Sequence, residues 1–126
     1  MVREGRSRDR AIADFSEAIE RDGRFATAWM YRGIVRSAKG HHDAALRDLD
    51  EAIRLEPHYA LAFNSRGTVW QAKGDSARAL QDFDEAIRLD SHHPWAFNNR
   101  GNLWFSKPDF DKAVADYTSA ITADPR

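Results

Sequence analysis

The 126-residue sequence has no cysteine. Disulfides, thiolate nucleophiles and cysteine-based zinc sites are thereby excluded, which fits a reducing cytosol. It also lacks an excess of charge of either sign: 19 basic side chains face 20 acidic ones. No global field draws such a chain to nucleic acid or to an anionic membrane, so neither is expected as a partner. Long hydrophobic runs are missing too, and nothing approaches the roughly 18 apolar residues of a membrane span. The opening "MVREGRSRDR" is charged with no apolar run behind it, so no export signal is read there. The expectation is one soluble, cytoplasmic domain, long enough for a core if its elements stack efficiently.

What is present is repetition. Gly33, Gly67 and Gly101 lie 34 residues apart, as do Arg32, Arg66 and Arg100, and Ala28, Ala62 and Ala96. A second set begins one copy earlier with Ala11, Asp14, Ala18 and Ile19, and runs on to Ala113, Asp116, Ala120 and Ile121. The first half of the earliest copy is therefore absent.

Apolar residues such as Leu46, Leu49 and Ile53 recur at steps of three and four, the helical period. Each full copy reads as two helices, broken at Gly40, Gly74 and Pro108, with Asp75 and Asp109 placed to cap the helix that follows. His41 stands where the other copies have Asp and predicts a weaker cap. Pro57 and Pro125 close their copies. Glu17 with Arg21, Asp50 with Arg54, and Asp84 with Arg88 read as pairs on solvated helix faces.

A 34-residue helix-turn-helix unit with these landmarks resembles the tetratricopeptide repeat. The matching residues are Trp29, Gly33, Ala45, Leu49, Ala52 and Pro57; then Phe63, Gly67, Trp70, Ala79, Phe83 and Ala86; then Phe97, Gly101, Trp104, Ala113, Tyr117, Ala120 and Pro125. Arg36 in place of the aromatic, Ser91 in place of the closing proline and Pro108 in place of the turn glycine depart from the pattern. The resemblance implies an all-α, right-handed solenoid of seven helices. An unpaired N-terminal helix over residues 9–21 would be followed by three helix-turn-helix repeats. The expected division is a half repeat at 1–24 and full repeats at 25–57, 58–91 and 92–125. Stacking suits such units, because one helix pair cannot bury both its faces and each copy completes its neighbour's core.

The repeated Arg occupies a place where this family usually has a leucine-like residue. Asp14, Asp48 and Asp82 lie 18 residues before Arg32, Arg66 and Arg100, and Asp48, Asp82 and Asp116 lie 16 after them. A planar guanidinium can bond a carboxylate bidentately when partly buried, so a structural Arg–Asp ladder between repeats is expected. The Gly after each Arg reads as a close-packing residue.

Catalytic chemistry finds little support. The histidines, at His41, His42, His58, His92 and His93, fall at expected turns without the i, i+4 spacing of a chelating pair, so neither metal nor cofactor is expected. No nucleophile elbow or glycine-rich phosphate loop appears. The chain reads as a non-enzymatic scaffold.

Function is then expected where copies differ along the first helices, which in the tetratricopeptide family line the concave surface. The stripe left over by packing reads Thr27, Met30, Ile34, Ser37; then Leu61, Asn64, Thr68, Gln71; then Trp95, Asn98, Asn102, Phe105. Amides at Asn64, Asn98 and Asn102 could bond the main chain of an extended peptide, with Thr68 and Gln71 beside them and Trp95 and Phe105 as apolar anchors. The family's carboxylate clamp for chaperone tails is not expected, because Met30, Ile34, Ser65, Trp95 and Asn99 stand where its basic and amide residues would be. A protein or peptide partner is the reading. The alternative is self-association through uncapped ends, at Phe15 and Ile19 and at Val114, Tyr117 and Ile121, or a chain that is part of a longer repeat protein.

Overall fold

The computed structural model describes residues 2–123, with side chains from Arg6 onward. Pro125 lies outside the described residues. Seven α-helices and no strand occur among them: α1 (Val2–Arg21), α2 (Ala26–Ala38), α3 (His42–Leu55), α4 (Ala60–Ala72), α5 (Ser76–Leu89), α6 (Trp95–Ser106) and α7 (Phe110–Ala123). The first helix starts at Val2 rather than near residue 9. Gly5 costs a helix only about 1 kcal/mol, and its Arg and Glu neighbours are good helix formers.

Local chemistry sets the remaining boundaries. Gly40 and Gly74 take φ of +86° and +85°, which L side chains resist, so glycine ends α2 and α4 with little strain. The third turn closes without one: Asp109 N–H donates to the Trp104 carbonyl just as His41 and Asp75 do to Arg36 and Trp70. Proline serves at residue 108 because only the glycine N–H contacts to Ser37 and Gln71 are lost there. Asp75 accepts from Arg78 N–H at 3.0 Å and Asp109 from Lys112 N–H at 3.3 Å, whereas His41 makes no side-chain cap.

Helices α2 and α3, α4 and α5, and α6 and α7 form the principal pairs, and α1·α2, α3·α4 and α5·α6 contacts stack them into the right-handed solenoid. Alanines 45, 52, 62, 79, 86 and 96 are fully buried between helices. Larger side chains fill the remaining space: Met30, Leu46, Leu49 and Val69 form one cluster and Phe83 with Leu103 another, with Trp70 packed against both. The repeating glycines sit at the closest approaches. A Cβ at Gly67 would lie 2.6 Å from the ring of fully buried Phe83, and one at Gly101 would lie 2.8 Å from Tyr117.

Candidate functional site

Each repeating Arg is held in the same way. Arg32 grips Asp48 bidentately at 2.9 and 2.7 Å, Arg66 grips Asp82 at 2.9 and 2.9 Å, and Arg100 grips Asp116 at 2.8 and 2.8 Å. All three carboxylates are buried, and each guanidinium lies over the aromatic ring three residues before it, Trp29, Phe63 or Phe97. The hydrogen bond to Asp82 holds Arg66 above its ordinary pKa range against the opposing cost of burial, and Asp116 does the same to Arg100.

These bidentate bonds join helices of one copy. The step to the preceding copy uses different residues from those expected: Arg66 Nη1 donates to Asp50 at 3.0 Å and Arg100 Nη1 to Asp84 at 2.8 Å, while Arg32 Nη1 donates to Ser16 Oγ at 3.0 Å. Asp14 is accordingly not a rung. It is exposed on α1, and the three repeating guanidinium groups are all held by other residues. Asp50 and Asp84 also leave the partners expected for them, since Arg54 and Arg88 bond Glu51 and Glu85 instead. Ser16, Asp50 and Asp84 recur every 34 residues, a signal that would have found them. Arg36 adds a second guanidinium to Asp48 at 2.9 Å, which accounts for a charge where later copies carry Trp70 and Trp104.

The first-helix stripe does not form one uniform surface. Met30, Asn64 and Asn98 are equivalent by the 34-residue shift, but Met30 is fully buried and Asn64 only 7% exposed, whereas Asn98 is exposed. The next first helix covers the earlier two, and Asn64 Oδ1 accepts from Asn99 Nδ2 of α6 at 2.9 Å. Asn64, expected to face a ligand, is thus mostly a packing residue at the α4–α6 contact, and Asn99 is its unforeseen partner.

The remaining stripe residues stay accessible. Thr68 is exposed with its hydroxyl donating to the Ser65 carbonyl, and Gln71 is half-buried. Asn102 is exposed, and its Oδ1 accepts from the Tyr117 hydroxyl at 2.6 Å, which leaves its Nδ2 as donor. Phe105 is exposed and meets Phe110 edge to face at 5.2 Å. Trp95, half-buried, stacks on His93 at 5.3 Å. Trp95 and Asn98 also line a shallow cleft of about 490 Å³ with Pro94, Tyr117, Ala120 and Ile121, at the outer face of the last pair.

That outer face is the open one. Val114 and Ile121 are 62% and 67% exposed, while at the opposite end Phe15 and Ile19 are half-buried, Phe15 being stacked on Tyr31 at 5.8 Å. Among the described residues no group of three or more His, Asp or Glu is arranged to hold a metal ion, and no helix is long and apolar enough to cross a membrane.

The paired helices, their glycine contacts and their 34-residue period have a counterpart in known proteins: a family model described as a tetratricopeptide repeat matches residues 34–94 and again residues 66–126. The chain belongs to the tetratricopeptide repeat family. No curated protein matches it in sequence. Tetratricopeptide structures superpose closely. The crystal structure of MamA does so with a TM-score of 0.82 at 23% identity, over 94% of this chain and 69% of that one. TTC0263, a thermophilic protein of the same family from Thermus thermophilus, gives 0.82 at 23%, over 91% of this chain and 64% of that one. The first tetratricopeptide domain of Spaghetti (RPAP3), solved with the HSP90 peptide SRMEEVD, gives 0.74 at 20%, over 80% of each chain. At such identities the likeness carries the fold. The fold is that of a protein-interaction scaffold.

Proposed function

We propose that this tetratricopeptide domain is a non-enzymatic scaffold that takes an extended peptide along its first-helix face, centred on α6. The observation that carries the reading is the exposure of Asn98, Asn102 and Phe105 together on one helix, Asn98 and Phe105 standing where the earlier copies have buried or half-buried side chains. Tyr117 holds Asn102 by its oxygen, so its Nδ2 is turned to donate to a peptide carbonyl, and Asn98 can both donate and accept. Phe105 and Trp95 flank the amides with apolar surface of the kind that carries most of an interface's energy. Thr68 and Gln71 extend the strip onto α4. Asn64 contributes indirectly, by holding α6 in place through Asn99. The Arg ladder takes no part, its guanidinium groups being committed to carboxylates. A related domain solved with a peptide supports the ligand class.

Selection of phage-displayed random peptides against the chain, repeated with an Asn98→Ala, Asn102→Ala, Phe105→Ala triple variant, tests this. Enriched peptides are expected to lose binding to the variant by about 10-fold or more, the scale of losing a hot-spot ring and two hydrogen bonds. Peptides that bind both proteins equally, or no enrichment against folded protein, would overturn it.

A further inference from the structure

The first helices meet twice in the stack, α2 against α4 and α4 against α6, and the wedge between their N-terminal ends is filled differently at the two junctions. At the α2–α4 junction the side chain of Tyr59, the cap residue of α4, spans the wedge, and its hydroxyl meets Thr27 Oγ1 at 3.1 Å. The 34-residue shift puts His93 in the place of Tyr59, Leu61 in that of Thr27 and Trp95 in that of Leu61. The strut is lost from both sides: an imidazole is shorter than a phenol, and a leucine offers no hydroxyl to meet it. Each junction joins two complete helix pairs, so the difference arises from these side chains.

Pro94 turns the replacement aside. It is the cap residue of α6, and the residue before a proline is kept from helical geometry, so His93 stands one residue further from its helix than Tyr59 does from α4. The imidazole lies flat on Trp95, 15° from parallel, with Nε2 3.2 Å from Asp90 Oδ2. Asp90 is itself fixed, its Oδ1 accepting from the His92 N–H at 3.0 Å. What remains between α4 and α6 is a cleft of about 380 Å³, walled by half-buried Tyr59, Leu61, Leu89 and Trp95, with Asp90 and His93 as polar members.

We infer that this cleft is a binding site for an aromatic side chain, tyrosine or phenylalanine, presented by a peptide lying in the groove. The inference rests on the extended-peptide reading and deepens it, since Trp95 belongs both to the cleft and to the strip through Asn98 and Asn102. The occupant is specified within the molecule, because the equivalent wedge already holds the phenol ring of Tyr59. The volume stands at the small end of ligand cavities and suits a single ring. The stacked rings of Trp95 and His93 offer it offset or edge-to-face contact. Asp90, engaged at both oxygens, asks for no charged partner, which favours a neutral ring over a lysine or arginine.

N-acetyl-tyrosinamide and N-acetyl-leucinamide, titrated into the isotope-labelled chain and followed by NMR, probe the cleft without any peptide. The tyrosine derivative is expected to shift the Leu61, Leu89 and Trp95 resonances saturably, with a dissociation constant of about 1 mM. The leucine derivative should bind about 2–10-fold more weakly, the scale of one aromatic contact. The triple variant Leu61→Thr, His93→Tyr, Pro94→Ala copies the closed junction and should abolish the shifts, with circular dichroism checking that the fold is kept. Trp95→Ala removes a wall and should abolish those at Leu61 and Leu89. Phage-selected peptides should carry an aromatic residue and lose about 10-fold or more in binding to the triple variant. No saturable shift at Leu61 and Leu89, equal binding of the two amides, undiminished binding to the folded triple variant, or enriched peptides indifferent to it would overturn the inference. An absence of phage enrichment would overturn the extended-peptide reading instead, and the tyrosinamide titration would still decide the cleft.

Discussion

Arg66 shows how a charge can belong to a core. Its guanidinium is mostly enclosed, gripped by Asp82 and Asp50 and laid over Phe63, so its cost of desolvation is offset by bonds of fixed geometry. Removing one partner should be far worse than removing both. Arg66→Leu leaves Asp82 buried and uncompensated and is expected to lower stability by about 3–5 kcal/mol in urea unfolding, while Arg66→Leu with Asp82→Leu should recover much of that loss. Equal loss in single and double variants would mean that the pair is not what holds this site. The 34-residue spacing makes Arg66 and Asp82 legible in the sequence. It does not choose between Asp48 and Asp82 as the bidentate partner, because only the packing of α4 on α5 settles which carboxylate the fork reaches.

At the scale of helices, the junctions between copies are alike but unequal. Lys39 and Lys73 each reach an Asp on the preceding second helix, but the helix before Lys107 offers Ala77 at that place. Ala77→Asp should therefore add the missing pair, and also an acid in the first turn of α5, for a gain of roughly 0.3–1 kcal/mol in thermal unfolding. The gain should shrink in high salt, and adding Lys107→Ala should remove the ion-pair part of it and leave only the smaller contribution of an acid at the helix start. The existing pairs have a definite pH dependence. The hydrogen bond and charge of Lys73 hold Asp43 below its ordinary value of 3.8, and Arg54 and Arg88 do the same to Glu51 and Glu85. Carboxylates shifted downward stabilise the folded chain above their unfolded pKa values, and that contribution is lost as pH falls through the lower, folded ones. Asp43 is exposed and Glu51 and Glu85 are half-buried at the surface, where solvent screens the pairs, so each contributes little.

Across the whole molecule, stability in a stack comes from neighbours, and the terminal pair has one neighbour fewer on its open side. Phe83 and Leu103 are sealed between copies, whereas Val114 and Ile121 face outward. Amide hydrogen exchange is therefore expected to be fastest in the end helices α1 and α7 and slowest in α3 to α5. Uniform protection along the chain would point to an all-or-none unit instead.

The sequence by itself determined the number and kind of elements, the turn residues and the inward face of each helix, because these follow from the 34-residue period, the three-and-four spacing and the conformational limits of glycine and proline. Tertiary structure decided which equivalent positions become surface. Met30, Asn64 and Asn98 hold the same place in the repeat, yet the first two are covered and the third is open, since burial depends on whether another helix lies beyond. The same holds for Asp14 against Asp48, alike in register but exposed in one copy and clamped in the other. A periodic sequence specifies the interior of a stack, and only the assembled stack shows which of the equivalent side chains stay exposed.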